Sequence, residues 1–372
     1  MPRLDPSRRT TVTIYDIAKK LSISASTVSR ALRNHPDIRP ETVEAVKDMA
    51  KKLNYQPNTI AQSLRERRTK LLGVIVPEIQ QHLYGSVLNG IEEVAFRKGY
   101  QVLVSKSGES YERELMQTYA LSNQVDGVIA CLSQHTHKID HFRQLKNQGL
   151  PLVFFDRAPE RLAAHRVLFD NEAGSFALTE NLIRSGFTRI AYLSGPEQLA
   201  VCQERLSGYQ KALERYNLPF DQDLVIHTGF GYQDGRIGFT RLMKLENRPD
   251  AIFAASDQIA TAVVVEARRI DLEIPHHLGL VAFGSDPVHA LLHPAITGLH
   301  PKGYEMGSTA AQLCIQEIEQ AGKNKRFRTE RLTTEIIIRH SSIKASGEDS
   351  VVSAYSRFHK RDGFGDEVIY MY

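Results

Sequence analysis

IYDIAKKLSISASTVSRAL, residues 14–32, decides the architecture of the amino end. Ile14, Ile17, Ala18 and Leu21 recur at helical spacing and mark one apolar face. Thr13 stands where a helix cap belongs, and Asp16 places a carboxylate in the positive first turn. Ser22-Ile23-Ser24 is too short for anything but a turn, and Ser24 is suited to cap a second helix over Ala25 to Leu32. Val28, Ala31 and Leu32 supply the apolar face of that helix. His35-Pro36-Asp37 forms the next turn. Pro40 then opens a third helix to about Leu53, with Val43, Val46, Ala50 and Leu53 as its stripe.

Three short helices with a tight turn between the first two make a helix-turn-helix. The exposed face of the second carries Ala25, Ser26, Thr27, Ser29 and Arg30. A helix entering the major groove needs small residues for close approach and donors such as arginine for base edges. A small solvated bundle with Arg30 facing water is the plain alternative.

Charge supports a nucleic-acid partner. Residues 1–70 hold 15 Lys and Arg against 7 Asp and Glu, whereas the remaining 302 hold 32 against 36. A basic module on a mildly acidic body suits a DNA binder, although a basic segment alone can be merely solvated. The 372 residues exceed one compact core. No apolar run reaches membrane-spanning length and the first residues lack a secretory pattern, so a cytoplasmic protein is expected. Cys131, Cys202 and Cys314 are scattered and odd in number, as reduced thiols would be.

From Leu71 the pattern changes. Leu71 to Pro77 is a continuous apolar run, as in a buried parallel strand. A helical stretch over Gly85–Lys98 follows, then a strand at Gln101–Ser105 and a helix from about Tyr111. Further strands are expected at Asp126–Cys131 and Leu152–Phe155. The alternation restarts with a strand at Arg189–Leu193, a helix at Glu204–Tyr216 and strands at Leu224–His227, Ala251–Ala254 and Leu278–Ala282. Ala310–Gln320 reads as an amphipathic helix, and Arg331–Arg339 as a strand closing the second lobe. The fold class is therefore an all-α helix-turn-helix head plus an α/β core of two doubly wound parallel-sheet lobes, with a ligand cleft between them. Nothing marks catalysis. No Walker or dinucleotide glycine loop, H-E-x-x-H, C-x-x-C or G-x-S-x-G occurs. His135-x-His137 and His276-His277 lack partners at ligand spacing. No catalytic residue, metal or cofactor is expected.

The stretch quoted above, together with LNYQPNTIAQSL from Leu53 to Leu64, resembles the DNA-binding head of the lactose-repressor (LacI/GalR) family. The likeness runs from about Thr13 to Val76. Downstream, Val125-Asp126-Gly127-Val128-Ile129, Phe154-Phe155-Asp156-Arg157, Phe169-Asp170-Asn171, Arg205-x-x-Gly208-Tyr209 and Ser256-Asp257-Gln258 resemble the family's effector-binding core, itself similar to periplasmic sugar-binding proteins. The resemblance implies a homodimeric transcriptional regulator, expected to be a repressor, that reads a near-palindromic operator. It also implies a small-molecule effector, a sugar or sugar derivative, in the cleft. Whether that effector releases DNA or promotes binding stays open.

The implied domains are a head (1–57), a hinge helix and linker (58–70), a core (71–341) and a mobile tail (342–372). Lobe one would take about 71–168 and 300–328, and lobe two about 169–299 and 329–341. Thr13, Tyr15, Ser24, Asn34 and Tyr55 join the second-helix residues as DNA contacts. The resemblance adds a hinge helix from about Asn58 to Arg65, with Asn58, Ala61 and Leu64 toward DNA and Leu64 as a minor-groove wedge. Arg39 stands where the family usually has a serine or threonine cap. Asp156 and Arg205 are the leading effector contacts. Tyr84 and Phe230 are candidate stacking surfaces or plain packing, and Asp257 a contact or a helix cap. One departure matters: Gly284 occupies a position the family often gives to aspartate, so that either Asp286 substitutes or the contact is missing.

Overall fold

A computed structural model describes residues 12–56, 68–300, 302–320 and 326–344. The expected hinge helix, with Asn58, Ala61 and Leu64, lies outside the described residues, as does the tail from 345 onward. Contacts divide the chain between Thr69 and Lys70.

The amino-terminal unit holds α1 (Ile14–Leu21), α2 (Ala25–Ala31) and α3 (Pro40–Lys52). Ile17, Val28, Ala31 and Val46 are fully buried at their junction. Each such aliphatic side chain contributes roughly 1.5–3 kcal/mol by leaving water, alanine less. Asp16 accepts from both the amide and the hydroxyl of Thr13, each at 2.8 Å. Ser22 turns the chain in the left-handed region (φ 52°), and the Ser24 hydroxyl accepts from the Thr27 amide at 3.1 Å. Arg39 makes no side-chain cap at α3, which starts on Pro40 instead. Ser24→Ala should cost about 1 kcal/mol; amide exchange in α2 of the full-length protein should then quicken about fivefold.

The second unit has two lobes. In lobe one, β1 (Leu71–Val76), β2 (Gln101–Lys106), β3 (Gly127–Ala130), β4 (Leu152–Phe155), β5 (His165–Phe169) and β11 (Thr329–Leu332) form a sheet ordered β11-β5-β4-β3-β1-β2. Every pairing in it is parallel. The buried side chains of α4 (His82–Arg97) and α12 (Gly303–Glu319) share one core. Those of α5 (Tyr111–Leu121) and α6 (Asp140–Asn147) share another with the same strands.

Lobe two repeats the plan. β6 (Ile190–Ser194), β7 (Val225–His227), β8 (Ala251–Ala254), β9 (Gly279–Ala282), β10 (Thr297–His300) and β12 (Glu335–Ile337) run β12-β10-β9-β8-β6-β7, with only β12 antiparallel. Its helices are α7 (Asn171–Arg184), α8 (Ala200–Arg215), α9 (Tyr232–Leu242), α10 (Asp257–Arg269) and the short α11 (Val288–Leu291). Among the described residues no helix is long and apolar enough to cross a membrane.

Three expectations need correction. Residues 329–332 belong to lobe one, because β11 pairs with β5; only β12 belongs to lobe two. A single strand over Arg331–Arg339 is thus two strands on different sheets. The core also extends past 341. Ser342 is fully buried and its hydroxyl lies 2.7 Å from that of Thr297, while Ile343 is buried. At the other end Lys70 is anchored in the core rather than in a linker: its amide donates to Asp126 at 2.9 Å and its ammonium sits 4.3 Å from the Tyr100 ring centre.

Candidate functional site

On the head, α2 presents Ser26 and Arg30 exposed, with Ala25, Thr27 and Ser29 half-buried beside them. The Ser24 hydroxyl lies 2.8 Å from those of Ser26 and Thr27, so the amino end of α2 is a knot of short polar groups. Thr13, Tyr15 and Asn34 are exposed, Tyr15 by 71%. Tyr55 instead packs on the head's core, half-buried. Arg33 was not expected in this set. Its guanidinium reaches back to the Ser29 carbonyl at 2.9 Å and hydroxyl at 3.2 Å, adding a second cation beside Arg30.

The core carries a cleft of about 910 Å³, open mouth included, lined from both lobes. All six residues expected at the effector site lie on it: Tyr84, Asp156, Arg205, Phe230, Asp257 and Asp286. The strands explain why. Asp156 ends β4 in the left-handed region (φ 55°), and Asp257 opens α10 just past β8, both at carboxyl edges where open α/β sheets place ligands.

Sequence reasoning did not single out Arg157, which organises the lobe-one wall. Its guanidinium donates to both oxygens of Glu109 (2.7 and 3.0 Å) and to the Tyr84 hydroxyl (2.7 Å). That hydroxyl donates in turn to Asp156 at 3.2 Å. Tyr84 is thus a buried polar link rather than an open stacking face, and burial pushes its hydroxyl pKa well up. Phe230 reaches from lobe two to within 5.5 Å of the same guanidinium. The available signal for Arg157 was its place directly after Asp156 at a strand end.

On the lobe-two wall, Arg205 donates from Nε to the Asn171 side-chain oxygen and from one terminal nitrogen to the Ala255 carbonyl, each at 2.9 Å. Its plane covers Phe283 at 3.7 Å. Ser256 caps α10 and also donates to the Phe230 carbonyl at 2.8 Å, which sets that loop. Gly284 has φ 142°, and a Cβ there would fall 2.6 Å from a carboxylate oxygen of Asp257. Asp257 fills the space a side chain at 284 would need, and the Asp286 amide holds it at 3.2 Å. Asp286 itself accepts from the Val288 amide at 2.9 Å.

Burial pushes the Asp257 carboxyl up from 3.8 to about 7. Burial also pushes neighbouring His289 down from 6.5 to about 4, its Nδ1 lying 3.3 Å from Asp257. The two act in opposite directions on stability. The contribution of Asp257 is full below pH 3.8 and is lost as pH rises to about 7. That of His289 is present above pH 6.5 and is lost as pH falls to about 4. Relative to the parent, Asp257→Asn should therefore remove a fall in stability between about pH 4 and 7. Relative to the parent, His289→Gln should remove a rise between about pH 4 and 6.5. Urea unfolding at stepped pH reads both slopes, and equal slopes in the two variants would contradict the assignment.

Comparison with known proteins follows the same division. Residues 13–58 match the model for bacterial regulatory proteins of the lacI family, and 179–342 match the periplasmic binding protein-like domain. The chain is 30% identical to catabolite control protein A of Priestia megaterium over 81% of its own length and 91% of that protein. A transcriptional regulator CelR–cellobiose complex superposes with a TM-score of 0.67 at 28% identity, covering 89% of this chain and 99% of that one. The lac repressor dimer bound to operator and an anti-inducer gives 0.78 at 22% identity, over 90% and 100%, a likeness of fold alone. With its three-helix head, its two parallel-sheet lobes and a relative matched across nearly its full length, the chain belongs to the lacI family of bacterial regulatory proteins.

Proposed function

We propose that this protein is a cytoplasmic, homodimeric transcriptional repressor whose affinity for a near-palindromic operator is set by a small molecule in the interlobe cleft. The observation that carries this reading is the joining, in one chain, of a three-helix head that matches the lacI family model and a core cleft lined by both lobes. It is a binding protein and not an enzyme: the cleft binds its ligand without consuming it, and no cofactor takes part.

The dimer reading rests on an apolar edge of lobe one. β2 is a largely exposed edge strand bearing Leu103 and Val104, and Phe96, Met116 and Tyr119 are exposed on α4 and α5. Such an edge needs a cover, and a second copy supplies one.

The ligand of one similar protein suggests the effector class: cellobiose for CelR. The wall chemistry agrees. Arg157 is committed to Glu109 and Tyr84, whereas Asp257 and Asp286 offer acceptors to a ligand rich in hydroxyls. Arg205 keeps one terminal nitrogen to which no described residue is paired. A hydroxyl-rich sugar or sugar derivative fits this balance.

Gel shift on selected operator DNA tests the reading. Affinity should fall with salt with a slope of about −0.9 per phosphate neutralised. Arg30→Ala should cost about 1–3 kcal/mol of sequence-specific binding. Binding that is absent or insensitive to salt would sink the proposal. A thermal-shift panel of sugars, sugar phosphates, uronates and purines identifies the effector, since a ligand at 100 times its Kd adds about 2.7 kcal/mol.

A further inference from the structure

Arg205 does not stand alone behind the cleft. Its Nε donates to Asn171 Oδ1 at 2.9 Å, and Asn171 Nδ2 donates to Glu204 Oε2 at 2.8 Å. The other oxygen of Glu204 accepts from Arg331 at 3.0 Å. Asn171 and Glu204 sit on α7 and α8 of lobe two, whereas Arg331 sits on β11 of lobe one. The Glu204 carboxylate therefore has one oxygen bonded toward each lobe.

The order of donors and acceptors gives this chain a direction. Arg205 can only donate, so the Asn171 oxygen must face it; Glu204 as a carboxylate can only accept, so the Asn171 nitrogen must face that side. A flipped amide would set N–H against N–H and oxygen against oxygen. Asn171 is 1% exposed, so water does not readily replace a lost partner. Glu204 and Arg331 are part-exposed, with side chains 30% and 49% accessible. An ion pair that open adds little to stability. Its consequence is orientation.

We propose that Glu204 is a positioning residue for the cleft: through Asn171 it holds the Arg205 guanidinium, and through Arg331 it links that hold to the opposite lobe. The angle between lobes and the aim of Arg205 are then set together. A change in lobe angle that breaks Glu204–Arg331 leaves Glu204 held at Asn171 alone, whose amide also reaches the Phe169 carbonyl at 3.4 Å, and so loosens the hold on Arg205. Conversely, a ligand that fixes Arg205 favours the lobe arrangement in which Arg331 reaches Glu204. The significance of this link rests on Arg205 contacting an effector, but the link itself does not.

The test needs neither operator nor effector, so its outcome is separate from that of the gel shift. The full-length protein is isotope-labelled at arginine, and the Arg205 Nε–H signal is identified by its contact with the Phe283 ring. Its hydrogen exchange is then compared in the parent, Glu204→Gln and Arg331→Met, with thermal unfolding as a check on folding. Loss of the constraint should quicken exchange about tenfold in Glu204→Gln, the equivalent of one net hydrogen bond, and about two- to threefold in Arg331→Met, which removes only an open ion pair. The decisive variant is Arg331→Met, which alters a part-exposed side chain on the other lobe and leaves Glu204 and Asn171 in place. If exchange at Arg205 is unchanged in that variant, the cross-lobe link is refuted. If it is unchanged in both, Glu204 is an ordinary surface ion-pair partner and the proposal fails.

Discussion

Glu114→Ala should destabilise lobe one by about 3–5 kcal/mol, because the donors it leaves behind each cost about 1–3 kcal/mol when unsatisfied. Glu114 has no exposed surface, nor does its partner His141, whose Nε2 lies 2.9 Å away. The same carboxylate accepts from the Ser133 amide at 2.6 Å and from the Thr136 hydroxyl at 2.9 Å. Truncation leaves these groups facing an apolar hole. Glu114→Gln keeps the shape but turns an amide nitrogen toward donors, so it should cost roughly half as much. Chemical unfolding measures both. The effect reaches the cleft, because the next amide, Gln134, donates at 2.7 Å to Glu109, which also holds Arg157. Amide exchange at Ser133 and Gln134 should rise in the same order, alanine above glutamine. A Glu114→Ala protein as stable as its parent would show that the network contributes nothing net.

Gly90→Ala should cost about 3 kcal/mol, the upper end for overpacking, and lower the melting temperature by roughly 6–12 °C. A Cβ at Gly90 would lie 2.1 Å from the Tyr304 carbonyl oxygen, and one at Gly307 would lie 2.0 Å from the Val87 carbonyl oxygen. α4 and α12 thus cross backbone to backbone, and neither side can give way as a flexible side chain would. Gly85, on the same helix α4, is the control: nothing lies within 4 Å of its added Cβ. Gly85→Ala should stabilise by about 0.5–1 kcal/mol, the helix-propensity difference alone. Equal effects at the two positions would mean that propensity, not the crossing, governs Gly90.

The same crossing explains where sequence reading fell short. α12 begins at Gly303, although periodicity showed a helix only from Ala310. Gly303 and Gly307 lower its helix propensity, and what keeps them helical is the partner helix lying against them. α8 likewise begins at Ala200 rather than Glu204, because Val201 and Cys202 are buried by tertiary contacts that no local period reveals. β5 and β10 were not expected at all. At four or five residues, with His165 and Arg166 in one and Thr297 and Gly298 in the other, they carry no long apolar run.

What the sequence determined by itself is local. Helical spacing around Ile17 and Val28, the Ser24 cap and the buried runs Leu71–Val76 and Leu152–Phe155 set the head and most strands, because caps and periodicity act within a few residues. The motifs containing Asp156, Arg205 and Asp257 pointed to one cleft, and the tertiary structure brings those residues onto it. Only the tertiary structure decided how the cleft is held: Arg157 clamped by Glu109, Asp257 standing in the space left by Gly284, and Glu204 dividing its oxygens between lobes. Glu204 and Arg331 are 127 residues apart in the chain and lie on different lobes. A pairing across that distance is set by how two sheets pack and cross over, and no spacing within the chain encodes it.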